Sequence, residues 1–282
     1  MKRILVVSGS RADEGLLQYP LMVLHQDNSF DVSFWKVWDM PFEEVFHAFQ
    51  DKKTDLLLIL GDRFEILACA IAAHLRRIPI AHIAGGDITE GSYDNEMRDC
   101  ISRLASIHFV TSTSAMARLT HMGMTNVHLV GNPGIDYIKH VDWKKERPFK
   151  EPYVVVNYQA ETKNRYFGAG QEIGKIFSEL PDKKRVFIRP NPDRGSDLIN
   201  DIINGYEKVS DVVYGFLPHG EYLNLIYHCD ELIGNSSSML YEAPELGVKT
   251  RMIGNRQKGR TIPWGDGHSS ERIVKILKYI HV

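Results

Sequence analysis

Residues 4–15 of the chain read ILVVSGSRADEG, in which four branched apolar residues lead into a loop that contains two glycines. A short apolar run of this kind is typical of a strand that is buried on both faces of a parallel sheet. Glycine after such a strand lets the backbone approach a ligand, and a following helix N-terminus favours an anion. Arg11 could hydrogen-bond a phosphate through its guanidinium group. An anion site and an ordinary βα turn with a solvated arginine explain this loop about equally well.

Similar apolar runs recur along the whole chain and alternate with amphipathic stretches. In the first half they cover residues 31–37, 56–60, 78–83, 107–111 and 127–130, and in the second half 153–157, 185–189, 212–214, 231–234 and 250–253. This alternation predicts βαβ units and parallel sheets. Residues 269–280 place four apolar side chains on one helical face, which predicts a terminal helix. The predicted fold class is α/β, with two Rossmann-like domains.

The composition changes between residues 141 and 152, where a charged stretch contains two prolines and has no periodicity. We interpret it as a linker. The predicted domains are an N-terminal one over residues 1–142, on the acceptor or sugar side, and a C-terminal UDP-binding one over 153–268. A terminal helix over 269–282 is expected to pack back toward the N-terminal domain. Because open α/β sheets bind ligands beyond the carboxyl ends of their strands, we expect the ligand in a cleft between the domains.

Bulk properties exclude several classes of protein. The 34 Lys and Arg residues nearly balance the 36 Asp and Glu residues, which gives no bulk electrostatic argument for binding nucleic acid or membrane. The three cysteines lack CxxC spacing, so neither a disulfide framework nor a cysteine zinc site is indicated. The chain has no run of about 20 apolar residues and no signal-peptide pattern. These features predict a soluble, cytoplasmic protein without a membrane partner and without a metal site.

Acidic residues cluster in the loops that follow two strands of the first half. Asp62 lies in the motif GDRFE directly after an apolar run, where it could cap a helix or act in catalysis. The glycine-rich loop after the next run is unusually long for a simple connection. It contains Asp87 and Glu90 and leads to Asp94 and Arg98. We predict that these five residues form the catalytic set.

The second half carries a serine cluster where a strand passes into a helix. Backbone N–H groups and the hydroxyls of Ser236, Ser237 and Ser238 suit a diphosphate, and Glu242 could accept hydrogen bonds from a ribose. A plain helix cap by Ser236 is the alternative. The cations of the loop at residues 254–260, which include Arg256 and Arg260, favour the phosphate site.

These loops occur together and in a fixed order. They read GSRADxGLL at 9–17, GDRFE at 61–65, AHIAGGDITEG at 81–91, DxxxR at 94–98, GNSSS at 234–238, EAP at 242–244 and GNRQKGR at 254–260. As a set they resemble the hydrolysing UDP-N-acetylglucosamine 2-epimerase family, especially its sialic-acid-pathway branch, within the glycosyltransferase-B superfamily. The resemblance implies the two-domain glycosyltransferase-B fold, a UDP-sugar ligand, and neither metal nor nicotinamide as cofactor.

The resemblance also implies roles for individual residues. Arg11 is similar to the family's diphosphate-binding arginine, and Glu242 to its ribose ligand. Asp62, Asp94 and Arg98 are similar to catalytic residues. In the family's reaction a base removes the proton on sugar carbon 2, UDP leaves by elimination, and water adds back to give the free 2-epimer.

The chain departs from this family at positions that handle protons. Gln159 and Ala84 stand where the family commonly has histidine and glutamate, and Asp99 replaces another histidine. Gln159 cannot exchange a proton near neutral pH, although Gln159 and Asn157 could still contact the sugar. The chain is also shorter than typical members between its first helix and Gly61, which predicts a less covered sugar side.

From these departures we predict a UDP-sugar-dependent glycosyltransferase that moves a sugar to an acceptor hydroxyl. Asp62 or Asp94 would deprotonate the acceptor, while Arg11, Arg260 and the serine cluster stabilise the leaving UDP. A hydroxymethylated base in phage DNA is one candidate acceptor, and the protein would then act in the host cytoplasm. The alternatives are a hydrolysing UDP-GlcNAc 2-epimerase and, ranked last, a non-catalytic UDP-sugar-binding protein. A homodimer is compatible with all three hypotheses.

Overall fold

The computed structural model describes residues 1–89, 91–163, 174–175, 178–179, 183–206, 208–257, 259–260 and 262–280 of the 282-residue chain. The chain forms two compact units. The first unit comprises Met1–Ile88, Asp94–Val141 and Thr261–Val282. The second comprises Thr89–Tyr93 and Asp142–Arg260. Among the described residues, no helix combines the length and the apolar character that crossing a bilayer requires.

Strands and helices alternate along the first unit. In chain order its elements are β1 (Lys2–Ser8), α1 (Arg11–Gln26), β2 (Phe30–Lys36), α2 (Phe42–Phe49), β3 (Leu56–Leu60), α3 (Phe64–Leu75), β4 (Ile80–Ile83), α4 (Asp94–Leu104), β5 (Ile107–Val110), α5 (Thr113–His121), β6 (Val127–Leu129) and α6 (Pro133–His140).

The second unit repeats this pattern. Its described elements are β7 (Tyr153–Asn157), β8 (Lys184–Ile188), α7 (Ser196–Tyr206), β9 (Val212–Tyr214), α8 (His219–Tyr227), β10 (Glu231–Gly234), a short 3₁₀ helix (Ser237–Met239), α9 (Glu242–Glu245) and β11 (Thr250–Met252). The terminal helix α10 (Ser269–Tyr279) belongs to the first unit.

Each unit is built on one parallel sheet. The strand order is β2-β1-β3-β4-β5-β6 in the first unit and β11-β10-β7-β8-β9 in the second. Every strand pair is parallel. The predicted α/β fold class with two parallel sheets is therefore confirmed, and the observed strand limits differ from the predicted runs by at most two residues.

Both faces of the first sheet are buried, because side chains alternate between the faces of a strand. Ile4 and Val6 of β1 point into one apolar cluster with α1 and α10, and Leu5 and Val7 point into the other with α2 and α3. This explains why β1 and β3 read as continuous apolar runs. In α10, Ile273 joins the first cluster and so fixes the terminal helix to this unit.

The charged segment that was interpreted as a linker is anchored to the second unit. Trp143 is buried and packs edge-on against Tyr227 of α8, with 5.7 Å between the ring centroids. Asn224 of the same helix accepts a hydrogen bond from Lys145 N at 2.8 Å. Burial of the apolar Trp143 ring thus holds this segment against the second unit, although the neighbouring residues are charged.

Candidate functional site

The strand order of the first sheet changes direction at one defined position, next to β1. From β1 the chain passes through α1 to β2 on one side, and it then returns through α2 to β3 on the other side of β1. Ligands of open α/β sheets bind at such a switch point, beyond the carboxyl ends of the strands. The loop after β1 carries Ser10 and leads directly to Arg11 at the start of α1, and the loop after β3 carries Asp62.

Arg98 links two other residues of the predicted catalytic set, Asp62 and Asp87. Its guanidinium group is buried, with the residue 5% exposed, and it pairs with the carboxylate of Asp62 through Nη2 and Oδ2. Nη1 donates to the backbone oxygen of Asp87 at 2.5 Å. Since α4 begins one turn before Arg98, the end of β3, the loop after β4 and α4 all meet at this side chain.

Asp87 directs its carboxylate elsewhere. Both of its carboxylate oxygens lie 3.1 Å from the hydroxyl of Thr111, which donates to them, and the residue is 3% exposed. This contact joins the loop after β4 to the end of β5, so a positioning role fits Asp87 at least as well as proton transfer. The predicted catalytic role of Asp87 stays a prediction.

The other predicted residues of this unit and its loop have different surroundings. Asp94 is the first residue of α4 and is partly buried, and Arg11 is the exposed first residue of α1. Glu90 lies outside the described residues.

A buried histidine supports the turn that carries Asp62. The Nε2 group of His82 donates to the backbone oxygen of Gly61 at 2.8 Å, which leaves Nδ1 to accept from Ser102 at 3.1 Å. Burial lowers the pKa of His82 to about 3. His82 is therefore neutral near physiological pH and acts as a hydrogen-bonding support rather than as a proton carrier.

Asp13 is a carboxyl group at this edge that sequence reasoning missed. It lies in the first turn of α1, where burial raises its pKa to about 7 despite a hydrogen bond with Ser10. The signal in the sequence was its place two residues after Arg11 in the strand-end loop.

The second sheet has its own switch point, between β7 and β10. The side chain of Asn235, directly after β10, accepts from Gln159 N at 2.6 Å and donates to the Gln159 backbone oxygen at 2.9 Å. A β-carbon at Gly234 would lie 2.0 Å from the backbone oxygen of Asn157, so only glycine fits where these strands end. Asn235 was not predicted, yet it fixes both strand-end loops.

The predicted sugar contacts and serines belong to one hydrogen-bonded chain. Gln159 Nε2 donates to Asn157 Oδ1 at 2.7 Å, and Asn157 Nδ2 donates to the hydroxyl of Tyr222 at 3.2 Å. The Tyr222 hydroxyl lies 2.6 Å from Ser238 Oγ, which in turn lies 3.1 Å from Ser236 Oγ. Tyr222 is a further residue that sequence reasoning missed, and burial raises its pKa well above the usual range.

Glu242 is less open than predicted, because its Oε1 lies 2.6 Å from Nε2 of His219 and both side chains are buried. Ser236 caps the 3₁₀ helix, as its hydroxyl accepts from Ser238 N at 3.4 Å. The capping alternative is thus present in the structure. Ser236 and Ser237 are half-buried, and Ser238 is buried.

The two predicted arginines follow β11. Arg256 N and Asn255 N both donate to Oε1 of Glu161, at 3.2 and 2.7 Å, so this carboxylate shapes the loop backbone. Among the described residues no carboxylate pairs with the guanidinium group of Arg256. Arg260 Nη1 donates to Gln257 Oε1 at 3.1 Å, and Gln257 Nε2 donates to the backbone oxygen of Asn235. The cationic loop and the serine cluster are therefore linked.

One group of described side chains has the spacing of metal ligands. His140, His268 and Glu271, all in the first unit, each offer one ligand atom within 4.8 Å of the others. Sequence reasoning missed this group, since the two histidines are far apart in the chain. The expectation that the protein needs no metal or other cofactor stays a prediction.

Comparisons with known proteins identify the family. The sequence model described as UDP-N-acetylglucosamine 2-epimerase matches residues 40–262. "Polysialic acid biosynthesis protein P7" of Escherichia coli is 30% identical over 92% of this chain and 80% of its own length. "GDP/UDP-N,N'-diacetylbacillosamine 2-epimerase (hydrolyzing)" of Campylobacter jejuni is 31% identical over 86% of this chain and 66% of its own.

A solved structure agrees with the fold. The crystal structure of UDP-GlcNAc 2-epimerase from Neisseria meningitidis bound to UDP-GlcNAc has a TM-score of 0.78, with 16% identity over 98% of this chain and 99% of that one. It confirms the predicted glycosyltransferase-B-like α/β fold.

The prediction of a glycosyltransferase, with DNA modification as a possible setting, is wrong. The family match supports the alternative that the sequence left open, a hydrolysing 2-epimerase. The error came from taking Ala84 and Gln159, which differ from the residues common in the family, as evidence for a different reaction. Replacements at single positions leave the fold and the remaining carboxyl groups in place. The family resemblance itself is confirmed: the chain belongs to the UDP-N-acetylglucosamine 2-epimerase family.

Proposed function

We propose that the protein is a hydrolysing 2-epimerase that acts on a UDP-linked 2-acetamido sugar. The observation that carries the proposal is the buried pair of Arg98 and Asp62 at the switch point of the first sheet, in a chain that belongs to this family. Relatives named for UDP-GlcNAc and for UDP-N,N'-diacetylbacillosamine support this substrate class.

In the proposed reaction, Asp62 or Asp94 accepts the proton from sugar carbon 2. The C–H electron pair forms a double bond between carbons 1 and 2, while the bond from carbon 1 to the diphosphate breaks and its electrons leave with UDP. Water then adds to carbon 1 and a proton returns to carbon 2 on the opposite face. Arg98 keeps the carboxylate of Asp62 in place, because a guanidinium group fixes a carboxylate both electrostatically and by direction.

We assign the nucleotide end to the second unit. The hydroxyls of the serine cluster and the cationic loop at Arg256 and Arg260 suit the diphosphate, and Glu242 suits the ribose. Arg11 is assigned to the diphosphate as well. Neither a metal nor another cofactor takes part in this proposal, and the protein is assigned to the cytoplasm, where nucleotide sugars would be its partners.

The direct test is incubation with UDP-GlcNAc in D₂O without an acceptor, followed by NMR. We expect UDP and the free 2-epimer with deuterium at carbon 2, since the proton returned to that carbon comes from solvent. Release of unepimerised sugar would refute the proposal. Binding of UDP-GlcNAc without turnover would instead show a non-catalytic sugar-binding protein.

Replacing Arg98 by lysine tests the catalytic assignment. We expect kcat to fall by at least about 100-fold, because lysine keeps the charge but loses the two-sided hydrogen bonding to Asp62 and Asp87. Arg103→Lys, an exposed position on the same helix, is the matched control and should leave kcat unchanged. Equal activities of the two folded variants would show that Arg98 does not contribute to catalysis.

A double variant tests the nucleotide assignment. Ser236→Ala with Glu242→Ala should weaken UDP binding by roughly 2–3 kcal/mol, the size expected for lost hydrogen bonds to charged groups. Isothermal titration calorimetry measures the affinity. His219→Gln is the control, because it disturbs the partner of Glu242 while leaving that carboxylate present. Unchanged affinity in the double variant would show that UDP binds elsewhere.

A further inference from the structure

Asp13 has an unusual position at the carboxyl edge of the first sheet. It lies two residues into α1, and its backbone N–H donates to the capping hydroxyl of Ser10 at 3.1 Å. Its Oδ2 atom is shielded from solvent and has no hydrogen-bond partner among the residues that the structure describes. Its Oδ1 atom faces the turn after β3, where a β-carbon at Gly61 would lie 3.6 Å away. Asp13 therefore lies beside the turn that carries Asp62.

The neighbouring cations are already bound to other carboxylates. The charged groups that act on Asp13 from the turn after β3 and from α3 are Asp62, Arg63 and Glu65. Arg63 pairs with Glu65 at 3.2 Å, and Asp62 pairs with Arg98. Asp13 thus adds a further carboxyl group to a region in which two acids already face two cations.

Charged side chains in α1 and on the other elements packed against it have partners of their own. Glu14 pairs with Lys36 of β2 at 2.8 Å. From α6, Asp136 accepts hydrogen bonds from Ser269 N and from Ser270. From α10, Glu271 accepts from the hydroxyl of Tyr19.

We propose that Asp13 is a positioning residue that keeps a proton beside Asp62, so that the carboxyl groups of Asp13 and Asp62 are not ionised together. The inference rests on the proposed epimerase function. Elimination of UDP builds negative charge on the departing diphosphate, and a second carboxylate at the edge would oppose it. The proton stays on Asp13 throughout, and burial together with the charge of Asp62 accounts for a pKa of about 7.

The test is the dependence of kcat on pH in the whole protein and in Asp13→Asn, whose side chain has nearly the same size and stays neutral. Wild-type activity should fall as pH rises through about 7, because Asp13 then ionises. The variant should keep activity within several-fold at pH near 6 and should lack this fall, so that two pH units higher it exceeds the wild type by about 10-fold relative to the value near 6. Asp31→Asn, exposed on β2, is the control and should keep the wild-type profile.

Two kinetic results would overturn the inference. One is an alkaline fall of the same midpoint in the wild type and in Asp13→Asn, which would mean that another group causes it. The other is a folded, UDP-binding Asp13→Asn protein that is inactive at every pH, which would make Asp13 a proton donor to the substrate instead of a positioning residue.

A second measurement needs no turnover and so separates this inference from the proposed function. The carboxyl ¹³C shift of Asp13 is titrated in the wild type and in Asp62→Asn. We expect a midpoint near neutral pH in the wild type, and a lower midpoint once the charge of Asp62 is removed. Identical midpoints would refute the pairing of the two groups even if the protein is an active epimerase. Absence of epimerase activity with the expected shift would refute the function and leave the pairing intact.

Discussion

At the scale of single residues, buried polar groups define both strand-end clusters. Arg98, His82 and Asp87 in the first unit and Asn235 in the second are at least nine-tenths buried, and His82, Arg98 and Asn235 are hydrogen-bonded to the backbone of strand-end loops. Tyr222 is partly buried and contacts the hydroxyl of Ser238. Leaving such a group without its partner costs about 1–3 kcal/mol. These residues therefore fix the loops whose exposed neighbours are available to a ligand.

His82 gives a pH-dependent prediction at this scale. Its pKa is about 3 when folded and about 6.5 when unfolded, so between these values the unfolded state binds more protons and the free energy of unfolding decreases as pH falls. The contribution of His82 is present above pH 6.5 and is lost toward pH 3. We expect His82→Gln to flatten the stability curve between these pH values by up to about 1.4 kcal/mol per pH unit.

Urea unfolding at a series of pH values measures this difference. His74→Gln, at an exposed position of α3, is the control and should leave the slope unchanged. If His82→Gln and the wild type have parallel stability curves from pH 6.5 to 4, the pKa of His82 is not lowered by burial.

At the scale of elements, β8 depends on one buried ion pair. Nε and Nη2 of Arg185 bind the two carboxylate oxygens of Asp211 at 3.0 and 2.5 Å, and both side chains are 1% exposed. Asp211 immediately precedes β9, so the pair joins the start of two neighbouring strands of the second sheet. A guanidinium group deprived of its carboxylate at this depth cannot recover its hydration.

We predict that Asp211→Ala lowers the free energy of unfolding by about 3–5 kcal/mol, the range for breaking one partner of a buried pair. Urea denaturation followed by circular dichroism measures it. Asp201→Ala, exposed on α7, provides the comparison and should change stability by less than about 0.5 kcal/mol. A loss below about 1 kcal/mol for Asp211→Ala would mean that the pair is solvated in solution.

At the scale of the whole molecule, each unit presents one switch point, and the proposed assignments divide the chemistry between them. The first unit has the carboxyl groups and Arg98, and the second has the serine cluster and the cationic loop. The family match covers residues 40–262 and so includes most of both units.

We predict that UDP raises the thermal unfolding temperature and that a chelator changes neither this shift nor the activity. At a UDP concentration 100 times Kd, binding stabilises the native state by about 2.7 kcal/mol. Differential scanning fluorimetry with and without EDTA measures both effects. Loss of turnover in EDTA that zinc restores would contradict the metal-free reaction and direct attention to His140, His268 and Glu271.

Much of the fold and part of the site were predictable from the chain. The apolar runs and their spacing predicted every described strand, since a strand that is covered on both faces of a parallel sheet has a nearly continuous apolar run. The positions of Asp62 and the serines directly after strands were predicted as well, because the carboxyl ends of parallel strands place the following residues at one edge, and the roles of these residues stay predictions. The reaction was predicted wrongly. A replaced residue such as Ala84 shows that one acidic side chain is missing, but it does not show which other polar side chains lie close together in the folded protein.

The sequence by itself determined the two parallel sheets, their order along the chain and the family, because strand formation and short motifs depend on residues that are close in sequence. Only the tertiary structure decided that Arg98 pairs with Asp62, that His219 binds Glu242, and that Oδ2 of Asp13 is shielded without a hydrogen-bond partner among the described residues. The physical reason is that ion pairing and desolvation depend on distance and burial in space, and these are set by residues far apart in the chain.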